Sequence, residues 1–99
     1  MRVRFDEWGK LEFDEARSWY TKIRPELGRQ FAAEVRAAGQ RIAHQPLLYP
    51  LETGDVRKCV LTQFPYKLRY AVRGDVILIV AVSHHQRHPD YWVDRGSNQ

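Results

Sequence analysis

The chain contains a single cysteine, Cys59, so no disulfide can close within it. A reducing compartment suits such a chain, and Cys59 itself reads as a small core residue. The N-terminus, MRVRFDEWGK, lacks the apolar stretch of a signal peptide. The longest apolar run, Val76 to Val82, is too short to cross a bilayer as a helix. A soluble cytoplasmic protein with no membrane partner is therefore the expectation. There is no Gly-rich phosphate loop and no dinucleotide fingerprint, which removes the common nucleotide-binding signatures. The Gly–aromatic pattern of an RNA-recognition module is missing as well. No internal repeat, low-complexity tract or linker interrupts the sequence.

What is present is apolar mass and positive charge. Hydrophobic residues make up 43% of the 99 positions, three of them Trp, which fits a globular chain rather than a disordered one. The length predicts one domain over residues 1–99, with Gly96 to Gln99 as a frayed tail. A net charge of +4 favours phosphate-bearing or acidic partners.

Periodicity and punctuation order the elements. Val3 and Phe5 alternate with Arg2 and Arg4, which predicts a short strand. From Glu7 to Ile23 a helix is expected, with Trp8, Leu11, Ala16, Trp19, Tyr20 and Ile23 on its apolar face. Pro25 ends that helix and starts a second, whose stripe is Leu27, Phe31, Val35, Ala38 and Ile42. The short break at Arg24-Pro25 predicts an antiparallel helical hairpin. His44 to Asp55 reads as a loop punctuated by Pro46, Pro50 and Gly54. Strands follow at Val56–Thr62, Tyr66–Arg73 and Val76–Ser83. The order β-α-α-β-β-β predicts an α+β fold. In it, an antiparallel β-sheet of about four strands carries an N-terminal α-helical hairpin on one face.

The Gly74-Asp75 turn sets a register for the last two strands. It places Arg73 opposite Val76, Val72 opposite Ile77, Tyr70 opposite Ile79 and Leu68 opposite Ala81. Those apolar residues then share the face beneath the helices. The other face receives Lys67, Arg69 and Arg73, and His84 continues that row. Arg57 and Lys58 add charge from the preceding strand. These cations read either as a solvated strand face or as a phosphate-holding surface. Val76, Leu78, Val80 and Val82 form an uncovered aliphatic stripe on the same face, the usual mark of a surface for another chain.

A dense cluster follows the last strand: His84, His85, Arg87, His88, Asp90, Tyr91 and Trp92. Zinc needs three or four convergent ligands. His84, His85 and His88 do not converge easily from a strand end restricted by Pro89, so no metal or cofactor is expected. Metal-free RNA cleavage needs an acid, a base and cations that stabilise charge on phosphate. His84 or His85 can transfer protons, Arg69 and Arg87, helped by Arg57 or Lys67, can grip phosphate, and Tyr91 can stack on a base or donate a proton. Arg57, Lys58, Lys67 and Arg73 complete an RNA-binding set. The competing reading packs Tyr91 and Trp92 onto the sheet, pairs Arg87 with Asp90 or Asp94, and leaves His85 half-buried.

Several segments resemble the RelE/ParE superfamily of type II toxin–antitoxin systems. They are ARSWY at Ala16–Tyr20, Leu27-Gly28 followed by Phe31, and Phe64-Pro65-Tyr66 leading to Tyr70. The last is Ala81-Val82-Ser83-His84 with Arg87, Pro89, Tyr91-Trp92 and Arg95. The resemblance covers roughly residues 2 to 95. It implies a compact toxin wrapped by a cognate antitoxin that covers the exposed sheet face, with Val76, Leu78, Val80 and Val82 as its contact stripe.

The resemblance also divides function. RelE-like members are ribosome-dependent mRNA endonucleases, whereas ParE-like members poison DNA gyrase without cutting RNA. Arg69 fits the sheet-face arginine of the nucleases, and His84, Arg87 and Tyr91 fit their C-terminal set. The lysine-rich character of some nucleases is missing, and the Arg-x-Pro-x-Tyr-Trp ending occurs in members described only as ParE/RelE-like. Because the register gathers Lys67, Arg69 and His84 on one face, the expected activity is metal-independent mRNA cleavage on the ribosome. The alternative is gyrase inhibition by protein binding. A non-toxic basic binding module is a third reading.

Overall fold

The structure is a computed structural model that describes residues 1–96. Of the expected frayed tail, residues 97–99 lie outside the described part. The elements are β1 (Arg2–Phe5), α1 (Glu7–Ile23), α2 (Pro25–His44), β2 (Leu51–Thr53), β3 (Val56–Val60), β4 (Tyr66–Arg73), β5 (Val76–His84) and α3 (Val93–Gly96). One five-stranded sheet runs β1-β5-β4-β3-β2. Every pairing is antiparallel except β1 with β5, which is parallel. The α+β class is as expected, with one strand more than the four anticipated.

The extra strand, β2, comes from the segment read as a loop. It pairs antiparallel with β3 around Gly54, whose φ of +57° suits glycine. Three residues after a proline carry too little alternation to register as a strand. No sequence signal showed that β1 would run beside β5 in parallel.

Local chemistry explains the helical hairpin. The Asp6 carboxylate accepts the Gly9 N–H at 2.7 Å and caps α1. Arg24 is extended, and Pro25 then opens α2 with its ring in a position that needs no N–H donor. Phe31, Val35, Ala38 and Ile42 of α2 are buried as expected.

The inward face of α1 differs from expectation. Trp8, Leu11, Trp19 and Ile23 are exposed. Gly9, Glu12 and Ala16 are buried, with Phe13 and Tyr20 packed against the core. The cause is close approach: a β-carbon on Gly9 would run into the Ile79 carbonyl of β5. A helix lying that near the strand has no room for an indole beneath it. The space is filled by aromatic rings entering from the sides. Phe31 meets Phe64 at 5.3 Å and Tyr66 at 5.2 Å, in edge-on contacts that suit ring quadrupoles.

The β4–β5 register begins as the turn predicted. Arg73 pairs with Val76, Val72 with Ile77 and Tyr70 with Ile79. Val80 then has no partner, and Arg69 pairs with Ala81 and Leu68 with Val82. This is a β-bulge, and it corrects the expected pairing of Leu68 with Ala81. Beyond it every side chain of β5 changes sides. The bulge coincides with the end of β1, whose last ladder partner is Ile79. In place of a neighbouring strand, the Glu12 carboxylate accepts the Val82 N–H at 2.9 Å.

Candidate functional site

The bulge divides the expected site in two. Lys67 and Arg69 stay on the sheet face away from the helices. His84 does not join them. It pairs with Tyr66 and lies edge-on to that ring at 5.2 Å, on the helical side. The expected gathering of Lys67, Arg69 and His84 on one face is therefore corrected. His85 takes the neighbouring place instead, exposed beside Lys67. Burial first, then the Lys67 charge, pushes the His85 imidazole below its ordinary value.

Arg69 is fully buried. Its Nε donates to Glu52 Oε1 at 2.6 Å, its Nη2 to Oε2 at 3.2 Å and its Nη1 to Ser83 Oγ at 2.8 Å. The Trp92 ring covers the guanidinium at 5.3 Å. The Arg69 hydrogen bond, outweighing burial, holds the Glu52 carboxyl below the usual range. All three guanidinium nitrogens are thus engaged by protein, where phosphate recognition needs a free fork.

His84 and Arg87 line a cleft of about 220 Å³ together with Glu15, Trp19 and Tyr66. His84 Nδ1 accepts the Gln86 N–H at 3.0 Å. That bond takes up Nδ1 and leaves Nε2 as the ring nitrogen without a hydrogen-bond partner among the described residues. Arg87 lies 4.0 Å above the Tyr91 ring rather than in an ion pair with Asp90. The Tyr91 hydroxyl is buried and lacks a hydrogen bond of good geometry. Burial raises its pKa to about 12. A phenol in that state is a poor acid and is shielded from a substrate.

The remaining expected residues separate as well. Arg57 donates to the carbonyls of Leu47 and Tyr49, at 3.2 and 2.7 Å, and so fastens the loop after α2. Arg73 pairs with Asp55 at 2.6 Å near the hairpin end. Lys58 and Lys67 are half-buried on the open face, Lys58 directly opposite Arg69. The aliphatic stripe is interrupted. Val82 turns into the core. Leu78 and Val80 line a cavity of about 210 Å³ that Trp92 and Arg95 also border. Val76 stays half-buried between Arg2 of β1 and Arg73 of β4.

The residues missed from sequence are those that close this face. Glu52 lay in the segment read as loop, and Ser83 looked like an ordinary strand residue. Glu12 sits on α1 and bonds Arg95 Nη2 at 2.9 Å. The Arg95 guanidinium lies between Trp8 and Tyr91, at 4.6 and 4.7 Å from their rings. The one available clue was that an arginine in the middle of a sheet needs a carboxylate within reach.

A fold of this kind, a helical hairpin on a mostly antiparallel sheet, is found in a solved structure titled "Chromosomal ParDE TA system from P. aeruginosa". The two share a TM-score of 0.71 at 19% identity, over 85% of this chain and 95% of that one. A family model described as "ParE toxin of type II toxin-antitoxin system, parDE" matches residues 10–89. The chain belongs to this ParE toxin family. No curated protein sequence matches it. Among the described residues, no helix is long and apolar enough to cross a membrane.

Proposed function

We propose that this toxin acts by binding a protein target rather than by cutting RNA, that the target is DNA gyrase, and that a cognate antitoxin neutralises it. The observation that carries this reading is Arg69. The cation expected to stabilise a cleaved phosphate is sealed between Glu52, Ser83 and Trp92. The other members of the expected catalytic set do not compensate. His84 faces away from Arg69, with its Nδ1 occupied, and the Tyr91 hydroxyl is buried. Family membership supports the same side of the choice, because ParE-like toxins are the gyrase-directed branch.

The test is induction of the chain without its antitoxin, with purified protein assayed in parallel on gyrase. Expected results are lost supercoiling activity, accumulation of cleaved DNA and intact transcripts on 5′-end mapping. Transcripts cut only while being translated, with the cuts abolished by His84→Ala or Arg87→Ala, would overturn the reading in favour of an mRNA endonuclease.

A further inference from the structure

We infer that the open sheet face carries a duplex-DNA contact: Lys58 and Lys67, with His85 at the rim, form a cationic ledge for the phosphate backbone. Lys58 stands directly opposite Arg69, and Lys67 lies next along β4 on the same face. Like charges opposed across a sheet are destabilising, so a face needing only solubility has reason to avoid them. The Glu52 carboxylate has both oxygens on Arg69, and its charge reaches the two lysines only at longer range. Neither Lys58 nor Lys67 has an ion pair among the described residues.

Burial, then the neighbouring Arg69, holds the Lys67 ammonium below the ordinary lysine value, against an opposing pull from Glu52. Lys58, Lys67 and Arg69 outnumber the Glu52 carboxylate held against Arg69, so this part of the face keeps a net positive charge that favours an anion.

The character of the face selects among polyanions. Single-stranded nucleic acid is held largely by bases stacking on exposed aromatic rings. Here Trp92 is buried, and the Tyr91 ring lies against Arg87 and Arg95. A pleated face of cations, with Trp92 buried and Tyr91 held against two arginines, suits a backbone read through charge, as duplex DNA is. The inference rests on the gyrase reading only for where such a duplex would be met, because gyrase holds DNA. Binding to DNA alone does not depend on it.

The test is binding of the purified toxin to a short fluorescent duplex over a salt series, beside single-stranded RNA of equal length and polyglutamate. Lys58→Glu/Lys67→Glu is expected to weaken duplex binding about tenfold or more and to flatten the salt slope by about two. Lys22→Glu/Arg36→Glu, at exposed positions of the two helices, carries the same net charge and should bind nearly as the parent does. Lys58→Gln/Lys67→Gln, with circular dichroism and thermal melting, separates lost contact from lost fold. Equal weakening by the two charge reversals would overturn the ledge. So would stronger binding of RNA or polyglutamate than of duplex. Duplex binding that persists in a toxin without effect on gyrase would support the ledge while sinking the gyrase reading.

Discussion

Arg69 with Glu52, and Arg95 with Glu12, are both carboxylate–arginine pairs withdrawn from solvent, and both guanidiniums lie against tryptophan. Arg69 is 1% exposed and held by both carboxylate oxygens within the sheet. Arg95 is 16% exposed, makes one 2.9 Å bond and joins the last helix to α1. The difference is one of escape. A strand in the middle of a sheet cannot carry an abandoned guanidinium to water, whereas a short terminal helix can lift away. The first pair fixes the shape of the open face, and the second fastens a cover over part of it.

The largest expected effect breaks the first pair. Glu52→Ala leaves Arg69 buried without its anion and should cost about 3–5 kcal/mol in urea unfolding. Arg69→Met added to it should recover most of that loss. Glu12→Ala should cost less, about 1–3 kcal/mol, because it orphans the Val82 N–H but frees Arg95 to solvent. Amide exchange should then rise over residues 91–96 while β4 keeps its protection. Equal costs for the two alanine variants would remove the distinction.

Acid sharpens the comparison next. Glu52 is held below its unfolded value of about 4.3, so the folded state binds fewer protons there. Its contribution is complete above that value and is lost as pH falls through the folded one. Thermal melting of Glu52→Gln should lack this acid component; an unchanged profile would show that the pair does not govern it.

The smallest effect is alkaline. Tyr70 and Tyr91 are both raised to about 12 by burial. The protonated phenols favour the fold, so stability should decline as pH climbs from about 10 towards that value. Burial also raises Tyr20 and Tyr66, so ultraviolet titration should show Tyr70 and Tyr91 as the latest of several late tyrosinates, with one of those last steps gone in Tyr91→Phe. That substitution removes an unsatisfied hydroxyl and should leave stability within about 0.5 kcal/mol of the parent.

The contrast between the pairs also marks what could be read in advance. Helix α2 and the turn-side half of the hairpin were legible because their signals are local: an apolar stripe, and a Gly-Asp turn with φ of +61° at Gly74. The bulge was not, because it forms where β1 ends and a carboxylate from α1 takes over the ladder. The outward indoles of α1 were misplaced because the close approach at Gly9 excludes bulk, a fact of tertiary distance. In the site, Arg69 was identified on the correct face, but its partner Glu52 depends on a three-residue strand that composition hides. Lys67 stayed on the face where the register put it, and the β3–β4 pairing sets Lys58 opposite Arg69 on that same face.

The unpaired Val80 carries a consequence for how such chains diverge. The extra residue at Val80 sets His85 rather than His84 beside Lys67 while leaving the Gly74-Asp75 turn unchanged. A single-codon insertion or deletion at that point can therefore reassign which histidine meets a partner. Two homologues with the same residues in this strand need not present the same chemistry unless they share the bulge.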